Sequence, residues 1–143
     1  MSSLTRAQAR DEMMSVANTA FAGYDANFPV QWYDDDSKKP PKNRNAFAEV
    51  GVYHTAGHQA TMGSISTGRT FRRYGYFEVL VHTPEGDGLT LADELATIMH
   101  DALEGVTTVG GVIFRNVRAT EAGKSGSFRV TNVSADFEYD QIK

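Results

Sequence analysis

Between Arg73 and Leu103 the chain reads RYGYFEVLVHTPEGDGLTLADELATIMHDAL, which is the pattern of a strand, a tight turn and a helix. Residues alternate between the two faces of a strand, and here both faces are apolar. One face carries Phe71, Phe77, Val79 and Val81, and the other carries Tyr74, Tyr76 and Leu80. A strand with one face in water would carry polar residues there. Both faces therefore require cover, from a helix, another sheet or another subunit.

The turn and the helix that follow are marked by their end residues. Pro84 ends strand pairing, and two glycines after it allow the chain to reverse. Thr90 is the expected N-cap of the helix and Gly105 its expected stop. Between them one apolar stripe is formed by Leu91, Leu95, Ile98, Met99, Ala102 and Leu103.

Length and composition limit the possible classes of protein. The 143 residues predict one domain, residues 1–143. The absence of cysteine excludes disulfides, thiolate metal sites and cysteine nucleophiles. A net charge of −4 argues against broad nucleic-acid binding. The charged N-terminus and the lack of an apolar run near roughly 20 residues predict a soluble protein that is neither secreted nor membrane-bound.

The remaining elements complete the predicted fold. A capping box at Thr5 and Gln8 predicts a first helix from Arg6 to Ala22, and Val30 to Tyr33 follows as a short extended segment. Residues 34–45, DDDSKKPPKNRN, are predicted to be a long, flexible polar loop. Strands are expected over 46–55, 60–67, 109–119 and from Phe128 onwards, with a turn at 121–126. In the last strand the apolar positions change from even to odd, which predicts a β-bulge near Thr131 or Asn132.

These elements predict an α+β fold. Most connections between strands are short, which favours antiparallel pairing. We expect a mostly antiparallel, twisted sheet of about five to six strands with two α-helices packed on it.

Three patterns could carry metal or phosphate chemistry, and each fits poorly. His54 and His58 have the H-x3-H spacing of a zinc helix, but the residues around them are typical of a strand. Gly123-Lys124-Ser125 has the ending of a phosphate-binding loop, but the glycine required five residues earlier is Arg118. Asp34, Asp35 and Asp36 lack the alternation of a calcium loop. We therefore expect no metal, no cofactor and no catalytic residues, and a protein that is not an enzyme.

Two basic runs are candidates for binding an acidic partner or DNA phosphate, although such runs are usually solvated faces. The first is Lys38, Lys39, Lys42 and Arg44, and the second is Arg69, Arg72 and Arg73.

The order of elements resembles a known family. The segment FPVQWYDDD, the stretch from Gly68 to Gly88 (G-x-x-F-R-R-Y-G-Y-F-E-V-L-V-H-T-P-E-G-D-G) and the ending Phe137-Glu138-Tyr139-Asp140 resemble the tail terminator proteins of long-tailed bacteriophages and prophages. The resemblance covers nearly the whole chain, and its motifs are structural.

This resemblance implies a virion protein that forms a hexameric ring on the head-proximal end of the tail tube, after assembly in the host cytoplasm. Such a ring stops tube polymerisation and provides the surface for head–tail joining. Its implied partners are copies of itself, the tail tube protein and a head-completion or connector protein, with possible non-specific contact to DNA in the lumen. The candidate interface residues are Trp32, Tyr33, Asp34, Asp35, Asp36, Lys38, Lys39, Lys42, Arg44, Arg72, Arg73, Tyr74 and Tyr76.

Two alternatives stay open at this point. A tail tube or neck protein of the same assembly would share the design but form filaments. A small ligand-binding domain or enzyme would instead use a pocket between helix and sheet, with His54, His58 and His82 as its polar groups.

Overall fold

The computed structural model describes residues 3–33, 46–60 and 68–143. Within these ranges the chain forms two α-helices and five strands. Their order is α1 (Arg6–Tyr24), β1 (Val30–Trp32), β2 (Phe47–Gln59), β3 (Thr70–Pro84), α2 (Gly88–Leu103), β4 (Ile113–Ser125) and β5 (Phe128–Ile142), with one turn of 3-10 helix at Glu85–Asp87 before α2. The predicted α+β class is confirmed.

The strands form one sheet in the order β1-β2-β3-β5-β4. β3 lies at its centre and pairs antiparallel with β5 from Thr70 opposite Ile142 to Pro84 opposite Phe128. β2 also runs antiparallel to β3, and β4 runs antiparallel to β5, whereas β1 runs parallel to β2. The chain between β1 and β2 spans residues 33–46, which is long enough for the crossover that a parallel pair requires.

Both helices cover the same face of the sheet. The helices bury Ala9, Met13, Ala17, Phe21, Leu95, Met99 and Leu103. These side chains join a core that includes Phe77, Val79 and Val81 of β3 and Val133 and Ala135 of β5. One of the two apolar faces predicted for β3 is therefore the main core of the protein. No helix in the described ranges is long and apolar enough to cross a membrane.

The helix ends agree with the predictions in part. At α1 the capping box is present, since the Thr5 hydroxyl accepts from the backbone N–H of Gln8 and the Gln8 side chain accepts from the N–H of Thr5. The predicted N-cap of α2 is wrong, because the helix begins at Gly88, ahead of Thr90. Gly105 follows the end of α2 with a positive φ of 72°, as expected for a helix stop.

The predicted bulge in the last strand is also wrong. β5 pairs with β3 without interruption, and the two register shifts against β5 lie on β4, between Arg115 and Arg118 and between Glu121 and Gly123. β4 continues to Ser125, so the turn predicted over 121–126 is a strand for most of its length. The polar loop predicted over 34–45 and nearly all of the strand predicted over 60–67 lie outside the described residues.

Candidate assembly surfaces

The open face of the sheet is the face opposite the helices, and it carries Tyr74, Tyr76 and Leu80 of β3. All three side chains are half-buried, although neither helix packs on them. The ring of Tyr76 stacks on Tyr53 with 4.7 Å between centroids, and Tyr74 stacks on His58 at 5.4 Å. Within the described residues, the second apolar face predicted for β3 therefore has no helical cover, and its aromatic rings stack on neighbours on β2.

Charged pairs cross the open face between neighbouring strands. Arg72 of β3 donates two hydrogen bonds to Asp140 of β5, at 2.9 and 3.2 Å. Arg115 and Arg118 of β4 lie 2.7 and 3.6 Å from carboxylate oxygens of Glu138 and Asp136 on β5. Such exposed pairs add little stability, typically below about 1 kcal/mol each. Their effect is to balance charge around the tyrosines.

An aromatic cluster closes one end of the open face. His82 stacks on Phe47 at 4.3 Å, and Phe128 meets Phe47 edge to face at 5.2 Å. This cluster explains the change of apolar register in β5, since Phe128 stays on the open face while the core positions begin at Val133. His82 Nε2 lies 2.6 Å from Glu49 Oε1. Burial lowers the pKa of His82, and the Glu49 carboxylate opposes that shift.

The two histidines with metal-like spacing point to opposite faces of the sheet. The register of β2 shifts between His54 and Ala56, so His58 lies on the open face and His54 on the helix side. His54 Nε2 is hydrogen-bonded to the Tyr139 hydroxyl at 2.7 Å. Burial, followed by the charges of three nearby arginines, lowers the pKa of His54 to about 4. One metal ion therefore cannot use both histidines, and the described ranges contain no group of three His, Asp or Glu residues suited to a metal.

The aromatic groove is a cavity of about 830 Å³ between the first turns of α1 and the β1–β2 edge of the sheet. Trp32 and Tyr33 line it from the end of β1, and Arg6 and Arg10 line it from α1. Trp32 is half-buried, whereas Tyr33 is 54% exposed. The Arg10 guanidinium reaches across and donates to the backbone carbonyl of Val52 at 3.4 Å.

The outer side of α2 is acidic, and the loop after it presents an apolar residue. The exposed carboxylates of α2 and the residue after it are Asp93, Glu94, Asp101 and Glu104. The sequence of α2 contains no Lys or Arg, and His100 is its one basic side chain. In the loop that follows, residues 104–112 and called here the Val109 loop, Val109 is fully exposed. Glu12 of α1 holds this loop, since its carboxylate accepts from the Gly110 N–H at 2.7 Å and the Thr108 hydroxyl at 3.1 Å.

Apart from Arg73, the predicted interface residues fall into three groups. Arg72, Tyr74 and Tyr76 lie on the open face, and Trp32 and Tyr33 line the aromatic groove. Arg73 lies on the helix side, with its guanidinium 5.6 Å from the centre of the Phe71 ring. The third group lies outside the described residues: Asp34, Asp35, Asp36, Lys38, Lys39, Lys42 and Arg44.

Sequence reasoning missed four residues of these surfaces: Arg6, Arg10, Glu12 and Val109. The i, i+4 spacing of Arg6 and Arg10 places both on one side of a helix and was a usable signal. Glu12 and Val109 have no such signal in the sequence, because their roles depend on a contact between residues nearly a hundred positions apart.

Comparison with known proteins gives information about the fold alone. No protein-family model matches the chain, and no curated protein matches it. Twenty-three chains of solved structures are similar to it. One of these, whose name describes no function, has a TM-score of 0.67 with this chain at 17% sequence identity, covering 98% of this chain and 96% of that one. At this identity the similarity shows a shared fold.

Proposed function

We propose that this chain is a structural protein of a phage tail, of the tail terminator type. It forms a hexameric ring at the head-proximal end of the tail tube, stops tube polymerisation and provides the surface for head–tail joining. The observation that carries this proposal is the open face. A sheet that is apolar on both sides has helical cover on one side only, within the part of the chain that the structure describes.

The chemistry of the open face suits a protein partner. Its tyrosines combine a large apolar ring with a hydroxyl, and such side chains dominate the energetics of interfaces. The stacked partners Tyr53 and His58 hold Tyr76 and Tyr74 in place. Side chains that are ordered before binding lose less entropy when the partner arrives. The surrounding ion pairs supply the polar rim that interfaces commonly show.

We also propose that the protein is not an enzyme. The histidines that could act as general bases hold the fold together instead: His54 bonds the Tyr139 hydroxyl, and His82 packs between aromatic rings beside Glu49. These contacts favour a protein whose function is assembly over one that uses a pocket for catalysis.

The proposed mechanism is geometric. A heterologous contact, repeated by a rotation that closes, produces a ring of fixed size. One exposed side of that ring would bind the last layer of the tail tube, and the other would receive the head-completion protein. DNA would pass through the lumen. In this proposal the protein is part of the virion, at the head-proximal end of the tail.

Negative-stain imaging of the purified chain tests the proposal. Closed rings with six-fold symmetry are expected. Filaments would instead indicate a tube protein of the same assembly. A chain that stays monomeric at high concentration would contradict both assignments.

A further inference from the structure

We infer that the subunits of this assembly contact one another head to tail: the Val109 loop and the acidic C-terminal end of α2 of one copy dock into the aromatic groove of the next copy. This inference rests on the proposed function, because it assumes that the chain assembles with itself. It identifies the occupant of the groove as a second copy of the chain.

Charge complementarity is the first argument. Among the described residues that line the groove, Arg6 and Arg10 are cationic and Asp11 is the one carboxylate, so this described lining has a net positive charge. Neither arginine forms an ion pair with any other described residue. The outer side of α2 carries acidic residues and no Lys or Arg, with Asp101 and Glu104 at its C-terminal end. Opposite charges therefore occupy two separate surfaces of one chain, which favours association between copies.

Apolar complementarity is the second argument. Val109 is fully exposed, and it follows Glu104 by only five residues. The groove offers the rings of Trp32 and Tyr33, of which Tyr33 is more than half exposed. In both surfaces an apolar centre is flanked by charge, negative beside Val109 and positive beside the rings. An apolar centre with a charged rim is the usual arrangement of a protein interface.

Hydrogen bonds within the chain hold the Val109 loop in one position before it contacts another copy. Glu12 accepts from both the Gly110 N–H and the Thr108 hydroxyl, and the Thr108 hydroxyl also accepts from the Val112 N–H at 2.9 Å. A Cβ at position 110 would meet the ends of the Glu12 and Leu4 side chains, so glycine lets the Glu12 carboxylate approach the loop closely without being displaced. The loop is therefore a fixed projection, which lowers the entropy cost of docking.

The two surfaces lie on opposite flanks of α1. The groove borders Arg6, Ala7 and Arg10 on the side toward β2. The Val109 loop borders Ser15, Val16 and Thr19 on the side toward α2. One copy can therefore use both surfaces at once, as a ring with a heterologous contact requires. The open face then remains available for the proteins stacked on the ring.

A charge-swap experiment tests the inference on the full-length chain. One double variant, Asp101→Arg with Glu104→Arg, makes the helix end basic. A second, Arg6→Glu with Arg10→Glu, makes the groove acidic. Each alone places like charges at the contact, so we expect at least a tenfold loss of association by native mass spectrometry. Mixed in equal amounts, the two variants have complementary surfaces at both contacts and should form rings of alternating subunits.

Two further variants separate a specific contact from a general effect of charge or of misfolding. Lys124→Glu with Arg129→Glu changes the charge as much as the groove variant does, at neighbouring positions of the β4–β5 hairpin, and should assemble like wild type. Val109→Ser removes the apolar projection at a fully exposed site, so it should weaken association with an unchanged unfolding midpoint.

The possible outcomes separate the two proposals. Wild-type rings together with dissociated single variants and a reassembled mixture support the inference. Rings in both charge-swapped variants, or a mixture that stays dissociated, overturn the head-to-tail contact and leave the proposed function intact. A wild-type chain that never associates overturns both.

Discussion

The two faces of the sheet are built from the same strands and differ in what completes them. On the helix side, Phe77 and Val79 of β3 are fully buried beneath α1 and α2. On the open face, their neighbours Tyr76 and Leu80 are half-buried and lie outside the helix-side core, and Tyr76 stacks on Tyr53 of β2. The comparison separates two tasks within one strand. The helix side supplies stability, and we propose that the open face supplies a binding surface.

The largest expected effect is the difference in stability lost when two adjacent residues of β3 are replaced. Phe77→Ala removes a fully buried ring that lies 5.8 Å from Phe114, and should lower the free energy of unfolding by about 3–5 kcal/mol. Tyr76→Ala removes a half-buried ring stacked on Tyr53 and should cost about 1 kcal/mol. Urea unfolding of both variants measures the difference. Equal losses would show that the open face contributes to stability as much as the core does, and would contradict the division of tasks.

The second test concerns close packing on the helix side alone and uses a glycine of β3. A methyl group at Gly75 would meet the Tyr53 carbonyl oxygen and the Phe137 ring, so Gly75→Ala should cost about 1–3 kcal/mol. Gly86 has no atom within 4 Å of such a methyl group, so Gly86→Ala is the matched control and should be nearly neutral. Thermal unfolding of the two variants checks this. A neutral Gly75→Ala variant would mean that β3 packs less closely against β2 and β5 here than the structure shows.

The third test uses pH to protonate His54, which lies on the helix side of the sheet. Burial and nearby arginines lower the pKa of His54 to about 4, from 6.5. The unfolded chain therefore binds this proton more readily, and His54 should cost the protein stability as pH falls from 6.5 toward 4. The fall in melting temperature between pH 7 and pH 4.5 should be larger in wild type than in His54→Gln. Because both proteins contain the same carboxylates, their difference isolates His54. An identical fall would show that His54 titrates normally.

The smallest expected effect lies on the open face. Arg72→Ala breaks the paired hydrogen bonds to Asp140, yet should cost less than about 1 kcal/mol because both side chains are partly solvated. Arg69→Ala, which removes an exposed arginine immediately before the same strand, is the control. Chemical denaturation at low and high salt distinguishes the two variants. The stability difference from wild type should shrink with salt for Arg72→Ala only, because salt screens the ion pair. A loss of several kcal/mol would mean that the open face is a stabilising layer.

The sequence was a good guide to local structure. The capping box at Thr5, the apolar stripe of α2 and the two apolar faces of β3 are all readable from spacing, because their causes lie within a few residues. The start of α2 was misplaced because Gly88 enters the helix despite its poor intrinsic propensity. The bulge was assigned to β5 because a single sequence does not show that Phe128 packs on Phe47, on the other face.

The candidate surfaces were harder to predict, because they depend on which strands become neighbours. Tyr74 and Tyr76 could be named from alternation alone. Neither ring contacts α1, because both described helices pack on the other face of the sheet. The alternation of residues does not tell which face the helices cover. The separation of His54 from His58 required the register shift in β2, and the position of Val109 required its tie to Glu12. Contacts between residues distant in sequence leave no periodic signal to read.

The mass of the purified wild-type chain in solution, measured by sedimentation equilibrium over a range of concentrations, tests the central claim most directly. Self-assembly into a closed ring predicts a species of six chains that does not grow further as concentration rises. A single-chain species at every concentration would contradict the proposal that this chain assembles with copies of itself into a ring.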